Sequence, residues 1–210
     1  MPARLRPTAP IAADAILVGD PGRALMLAQE LLEQPKMSNH ARGLWGYTGV
    51  TATGEELTIQ ATGMGGPSAA VVVADLAELG VKRAIRIGTC AALGDLDLGD
   101  LLVVTEANGQ RPDRDLTEAL AAALPEAHRG PGVSLDTLYR PERDRPSVLA
   151  EAADMQTAGL LASAAEHGVA AAALLIVFEK SSSGQLRDEE LEEGAKRTGS
   201  AAAGLFSTLG

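Results

Sequence analysis

Gly19-Asp20-Pro21-Gly22-Arg23 stands between the apolar run Ala15-Ile16-Leu17-Val18 and a helical pattern from Ala24 to Leu32, and it reads as strand, tight turn and helix. Asp20 is placed to cap the helix, Pro21 suits its first turn, and Gly19 and Gly22 let backbone come close to a ligand. Backbone N–H groups at such a helix start make an anion site, and Arg23 adds a permanent positive charge. The helix dipole disfavours a cation there, so this arginine asks for a bound anion, and phosphate fits best. Arg86 makes a similar demand. Inside Ala84-Ile85-Arg86-Ile87-Gly88 an unpaired charge is costly to bury, and an anionic partner accounts for it.

Other reactive side chains carry blander readings. Cys90 follows Thr89 directly, but no histidine lies beside it, and it reads as a small buried thiol. His40 neighbours the Arg42 segment as a loop residue, while His128 and His167 read as helix-end residues. The acidic group Asp188, Glu189, Glu190, Glu192 and Glu193 reads as a solvated helix face, and no metal site is expected.

The elements that must position these residues alternate. A strand near 15–18 leads to a helix near 21–33, and residues 45–62 form a hairpin around a glycine-containing turn. Gly63-Met64-Gly65-Gly66-Pro67-Ser68 breaks the second hairpin strand and opens a helix that closes at Gly80. Strands are expected at Arg83–Gly88, Asp100–Thr105 and Ala170–Phe178, with a candidate strand at Val133–Tyr139. Helices are expected near 116–123, over Ala150–His167 (in whole or after a short strand) and over Asp188–Leu205. Such alternation predicts an α/β fold with a largely buried sheet, in one domain spanning 1–210 with an N-terminal arm at 1–12.

Composition narrows the function. With 46% apolar residues but only 2% aromatic, the core must be built from Ala, Leu, Val and Ile. A net charge of -10 weighs against general nucleic-acid binding, so an anionic ligand must be held by a local pocket. A single cysteine excludes an intrachain disulfide, and no run reaches membrane-spanning length. The chain reads as soluble and cytoplasmic, with no membrane partner.

Four segments together carry a resemblance: Gly19-Asp20-Pro21-x-Arg23, Arg42-Gly43-x-x-Gly46-Tyr47-Thr48-Gly49, Gly63 to Ser68, and Arg86-Ile87-Gly88-Thr89-Cys90. In this order and spacing they resemble the nucleoside phosphorylases, the family of hexameric bacterial purine nucleoside phosphorylase and uridine phosphorylase. The resemblance is close from about residue 14 to 105 and looser at Ser134–Tyr139 and Asp154–Ala158; Arg42-Gly43 looks more like the purine branch. It implies a three-layer α/β/α domain with a central mixed sheet. The implied activity is phosphorolysis of a nucleoside to free base and pentose 1-phosphate, with no cofactor and inorganic phosphate as co-substrate. By the same resemblance Gly19, Arg23, Arg86 and Thr89 ring the phosphate, joined by Arg42 from a neighbouring subunit. Met64, Met155 and Gln156 face the ribose, Leu138 the base, and Glu179 is the acid that protonates the departing base. Self-association is implied, a dimer at least and in the family a hexamer.

The chain also departs from the family pattern. Gln156 follows Met155 where the family carries glutamate, and Glu179 stands where the purine enzymes place an aspartate. Leu138 replaces an aromatic, and residues 1–20 lack the histidine that crosses to a neighbour's sugar. Arg187 and Lys180 are the candidates for the arginine that assists the acid. These departures supply an alternative reading, a non-catalytic relative that binds phosphate or nucleoside. A nucleosidase using water is a third, but it has no use for Arg23, Arg42 and Arg86 together.

Overall fold

The computed structural model describes residues 4–137 and 149–209. Its first half runs β1 (Asp14–Val18), α1 (Pro21–Leu31), β2 (Leu32–Asn39), a 3-10 turn (Ala41–Gly43), β3 (Gly46–Thr51), β4 (Glu56–Ala61), α2 (Gly66–Glu78) and β5 (Arg83–Ala92). The second half runs β6 (Leu101–Ala107), α3 (Arg114–Ala123), β7 (His128–Ser134), β8 (Ala152–Asp154), α4 (Thr157–Glu166), β9 (Ala170–Lys180), β10 (Gly184–Gln185) and α5 (Asp188–Thr208). The strands join in the order β10-β9-β6-β7-β8-β5-β1-β4-β3-β2, and β9 also pairs with β5. That extra pairing closes β5, β9, β6, β7 and β8 into a ring, from which β1 to β4 extend as an open wing.

Strand alternation sorts the core onto two faces. Ala15 and Leu17 of β1 join Ala171, Ala173 and Leu175 of β9 under α2 and α4. Ile16 and Val18, with Ala172, Leu174 and Ile176, pack under α1, α3 and α5. Helices therefore cover both faces of a mixed sheet: β1 is parallel to β4 and β5, while β2, β3 and β4 run antiparallel. This is the expected three-layer α/β/α arrangement. The described residues before β1, 4–13, lie along their own chain. The Arg4 and Leu5 N–H groups both donate to Asp75 Oδ2 of α2 at 2.7 Å, and Arg6 N donates to Asn39 Oδ1 at 2.8 Å. None of the described helices is long and apolar enough to cross a membrane.

Two strands, β2 and β7, differ from the sequence expectation. β2 was not expected, because Leu-Glu-Gln-Pro-Lys-Met-Ser-Asn has neither alternation nor β propensity. It forms as an edge strand on β3, with register shifts on both sides of Lys36-Met37 and Gln34 at φ 48°. β7 spans His128–Ser134 instead of Val133–Tyr139, whose last two residues lie outside the described ones. Its Gly-Pro-Gly centre has low strand propensity, but parallel partners on both sides, β6 and β8, impose the conformation. Gly130 there leaves room for Glu151, whose Cγ would lie 2.6 Å from an added Cβ. His128 accordingly begins a strand instead of ending a helix, and β8 is the short strand that leads into α4.

Small residues set how closely the layers approach. α2 and α4 cross where Gly66 meets Gly159, and a Cβ on Gly159 would lie 2.9 Å from the Gly66 Cα and carbonyl oxygen. Gly204, on the exposed side of α5, has open space around it. Gly159→Ala is therefore expected to destabilise the protein by about 1–3 kcal/mol through overpacking. Gly204→Ala should stabilise it by about 0.5–1 kcal/mol through helix propensity. Urea unfolding midpoints moving in opposite directions would meet this expectation, and two shifts of the same sign would not.

Candidate active site

The parallel strands β1 and β4 end side by side against the middle of β5, with Val18 in register with both Ala61 and Ile87. From the end of β1 the chain turns into α1 on one face; from the end of β4 it turns into α2 on the other. A crevice must open where the chain parts in this way, and ligands of open α/β sheets bind in such crevices. Here it is a cleft of about 530 Å³. The turn after β1 contributes Gly19, Asp20, Pro21 and Arg23, and the turn after β4 contributes Gly63, Met64 and Gly65. β5 supplies Arg86, Gly88 and Thr89, and the β8–α4 junction supplies Asp154, Met155 and Gln156.

Three helices start at this cleft. Asp20 caps α1, its Oδ1 accepting from Arg23 N at 2.7 Å, with Pro21 in the first turn. Gly22 makes that cap possible, since a Cβ there would lie 2.9 Å from Asp20 Oδ1. α2 begins after Gly65, at φ 82° and with no side-chain cap, and α4 begins after Gln156. The positive ends of three helix dipoles thus converge on one space.

The two cleft arginines differ in their partners. The Arg23 guanidinium makes no hydrogen bond or ion pair among the described residues. Burial lowers its pKa from the ordinary arginine value; Asp20 opposes that shift and Arg86 adds to it. Arg86, only 3% exposed, is held on three sides. Its Nη2 donates to Asp154 Oδ2 at 2.8 Å, Nη1 to Gln156 Oε1 at 2.8 Å, and Nε to Thr157 Oγ1 at 3.1 Å. The guanidinium lies over Gly88, where a Cβ would come within 2.5 Å of Nη2. Three of its five N–H donors are thereby used, leaving two.

Asp154 is the residue that the sequence reading missed. Arg86 was expected to answer to an anion, and the first anion it meets belongs to its own chain. A cation buried on a central strand needs its counter-charge for the fold itself, with or without ligand. The Asp154 carboxylate is fully engaged: Ser134 Oγ donates to Oδ1 at 2.5 Å, and Thr157 Oγ1 to Oδ2 at 2.6 Å. The available signal was an acid directly before the Met155-Gln156 motif.

The remaining expected site residues fall into two groups. Gly19, Arg23, Arg86, Thr89, Met64, Met155 and Gln156 are all brought to the cleft, Met64 being 86% exposed at its mouth. Arg42 is exposed, in the left-handed region at φ 60°, and does not line the cleft of its own chain. Glu179 sits near the end of β9, opposite Ala91 of β5 and Gln185 of β10, half-buried and outside the lining residues. Leu138 lies outside the described residues. Lys180 and Arg187 are paired elsewhere, with Asp97 and Glu190 respectively, each at 2.7 Å. Cys90 is buried, and burial followed by the nearby Asp154 pushes its thiol pKa up against the pull of Arg86, which keeps it a protonated thiol. No group of three potential metal ligands occurs among the described residues.

Comparison with known proteins agrees with this geometry. The family model described as Phosphorylase superfamily matches residues 14–115. A DeoD-type purine nucleoside phosphorylase of Caldanaerobacter subterraneus subsp. tengcongensis is 34% identical over 205 residues, covering 86% of this chain and 88% of its own. One from Bacillus cereus is 33% identical over 194 residues, covering 80% and 82%. The crystal structure of purine nucleoside phosphorylase from Toxoplasma gondii in complex with immucillin-H shares the fold, with a TM-score of 0.82, 24% identity and coverage of 94% and 93%. With such relatives matched at more than 30% identity over most of their length, the chain belongs to the nucleoside phosphorylase family.

Proposed function

We propose that this protein catalyses the phosphorolysis of purine nucleosides, with inorganic phosphate as co-substrate and no cofactor. The observation that carries the reading is Arg23: a partly buried guanidinium with no hydrogen-bonding partner among the described residues, at a cleft where three helices start. The purine choice follows the DeoD-type relatives, which are purine nucleoside phosphorylases.

In this reading phosphate sits against the Gly19 backbone, Arg23, Thr89 and the two remaining donors of Arg86. A phosphate oxygen bonds to the anomeric carbon as the glycosidic bond breaks, and the electron pair of that bond leaves with the base. Fixed cations and dipoles hold the nucleophile in line without reorganising during the step. Met64 and Met155 cover the ribose, and Glu179 donates the proton to the base. Arg42 serves the site of a neighbouring subunit, in keeping with its exposure and its distance from the lining of its own cleft. The working unit is then a homo-oligomer, a dimer at least, in the reducing cytoplasm that suits a single buried thiol.

The direct test is phosphate-dependent release of free purine and pentose 1-phosphate from a nucleoside panel. Cleavage that proceeds without phosphate, or none at all, would refute the reading. Arg23→Ala is expected to lower kcat/KM for phosphate by about a hundredfold, the cost of removing one charged donor from a preorganised site. Arg42→Ala should do similar damage without unfolding the protein. Mixing the Arg23→Ala and Arg42→Ala chains should restore activity, because a mixed pair regenerates one intact site. Absence of such complementation would argue that Arg42 acts within its own chain or not at all.

A further inference from the structure

Gln156 departs from the Met-Glu pattern of the family, and its amide is committed to the protein on both sides. Oε1 accepts from Arg86 Nη1 at 2.8 Å and lies 3.1 Å from the Thr62 hydroxyl, while Nε2 donates to the Gly63 carbonyl at 2.5 Å. One end of the side chain must accept and the other must donate. An amide does both; a carboxylate does not. Glutamate in this pose would set an oxygen against the Gly63 carbonyl, two acceptors with no proton between them.

Charge points the same way. Four charged side chains line the cleft, Arg23 and Arg86 against Asp20 and Asp154, and their charges balance. A glutamate at 156 would tip that balance negative and place a second carboxylate beside Asp154 on the same guanidinium. Both effects oppose a phosphate dianion. With glutamine there, Arg86 gains a third anchor besides Asp154 and Thr157, and the plane of its fork is fixed without added charge. The same side chain ties that fork to Gly63, the residue that opens the Gly63-Met64-Gly65 turn into α2.

We infer that Gln156 is a positioning residue for the phosphate half of the site, locking Arg86 to the Gly63 turn, and not a ligand of the ribose. The inference rests on the phosphorolysis reading for its kinetic assay but has a binding readout of its own. Steady-state kinetics on Gln156→Glu and Gln156→Ala, with phosphate and nucleoside varied in turn, separate the two roles. A positioning role raises the phosphate KM by about tenfold, as expected for losing a hydrogen bond to a charged group, and leaves the nucleoside KM nearly unchanged. A ribose ligand behaves in the opposite way. Gln156→Ala then raises the nucleoside KM alone and Gln156→Glu lowers it; either result overturns the inference.

Thr62→Val provides a milder variant should Gln156→Glu fail to fold, because it loosens the amide without altering charge. It should raise the phosphate KM in the same sense by a smaller factor, and a nucleoside-only effect counts against the inference. Calorimetric titration of each protein with inorganic phosphate decides independently of turnover. Weaker binding by the Gln156 variants than by the unmodified protein supports the positioning role, and equal binding overturns it. An unmodified protein that binds phosphate but cleaves no nucleoside would defeat the phosphorolysis reading and leave the titration to decide this one.

Discussion

A charge in the middle of a sheet is the constraint on which the rest of this structure depends. Arg86 sits on β5, which pairs with β1 along its first half, with β9 along most of its length and with β8 at its end. Leaving such a cation unpaired would cost several kcal/mol, roughly 3–5 in measured cases where one partner of a buried pair is removed. The surrounding sequence is arranged to prevent that. Gly88 gives the guanidinium a place to lie, and Asp154 at the end of β8 supplies the counter-charge. Thr157 and Ser134 fill the remaining lone pairs of Asp154. Residues from β5, β7, β8 and the start of α4 are thus held to one another by a single buried network, and the cleft is the space on its open side.

That network also explains how an acidic protein can hold an anion. The overall charge of -10 is no help, and the cleft side chains balance to neutrality. Attraction must come from geometry: two spare N–H groups of a fixed guanidinium, an Arg23 guanidinium with no hydrogen-bonding partner among the described residues, and three helix starts. The Arg86 fork and the helix starts are oriented before ligand arrives. Preorganised donors of this kind are worth more than flexible surface charges, which lose much of their attraction to solvent and salt.

What could be read from the sequence follows the range of the interactions. The turn at Asp20-Pro21-Gly22 was legible because its cap, its proline and its steric gap all lie within four residues. The Ala170–Phe178 strand was legible because a continuous apolar run has few other uses. β2 and β7 were not, since neither has a local preference for extended structure and both take it from neighbours. The Arg86–Asp154 pair, 68 residues apart in the chain, was visible only as a demand for some anion. Glu179 and Arg42 were named by resemblance, and the single-chain fold places both away from the cleft lining.

The two borders of the sheet are each unfit for extension. At one end β2 carries Pro35, which has no N–H to offer, then Lys36, and register shifts on both sides of Lys36-Met37. At the other end β10 is only two residues long. An unprotected border strand is a template onto which another chain can stack without limit, the starting point of fibrils. Here a second molecule finds neither a straight backbone nor a full ladder to copy. Open-ended backbone polymerisation is disfavoured at both borders.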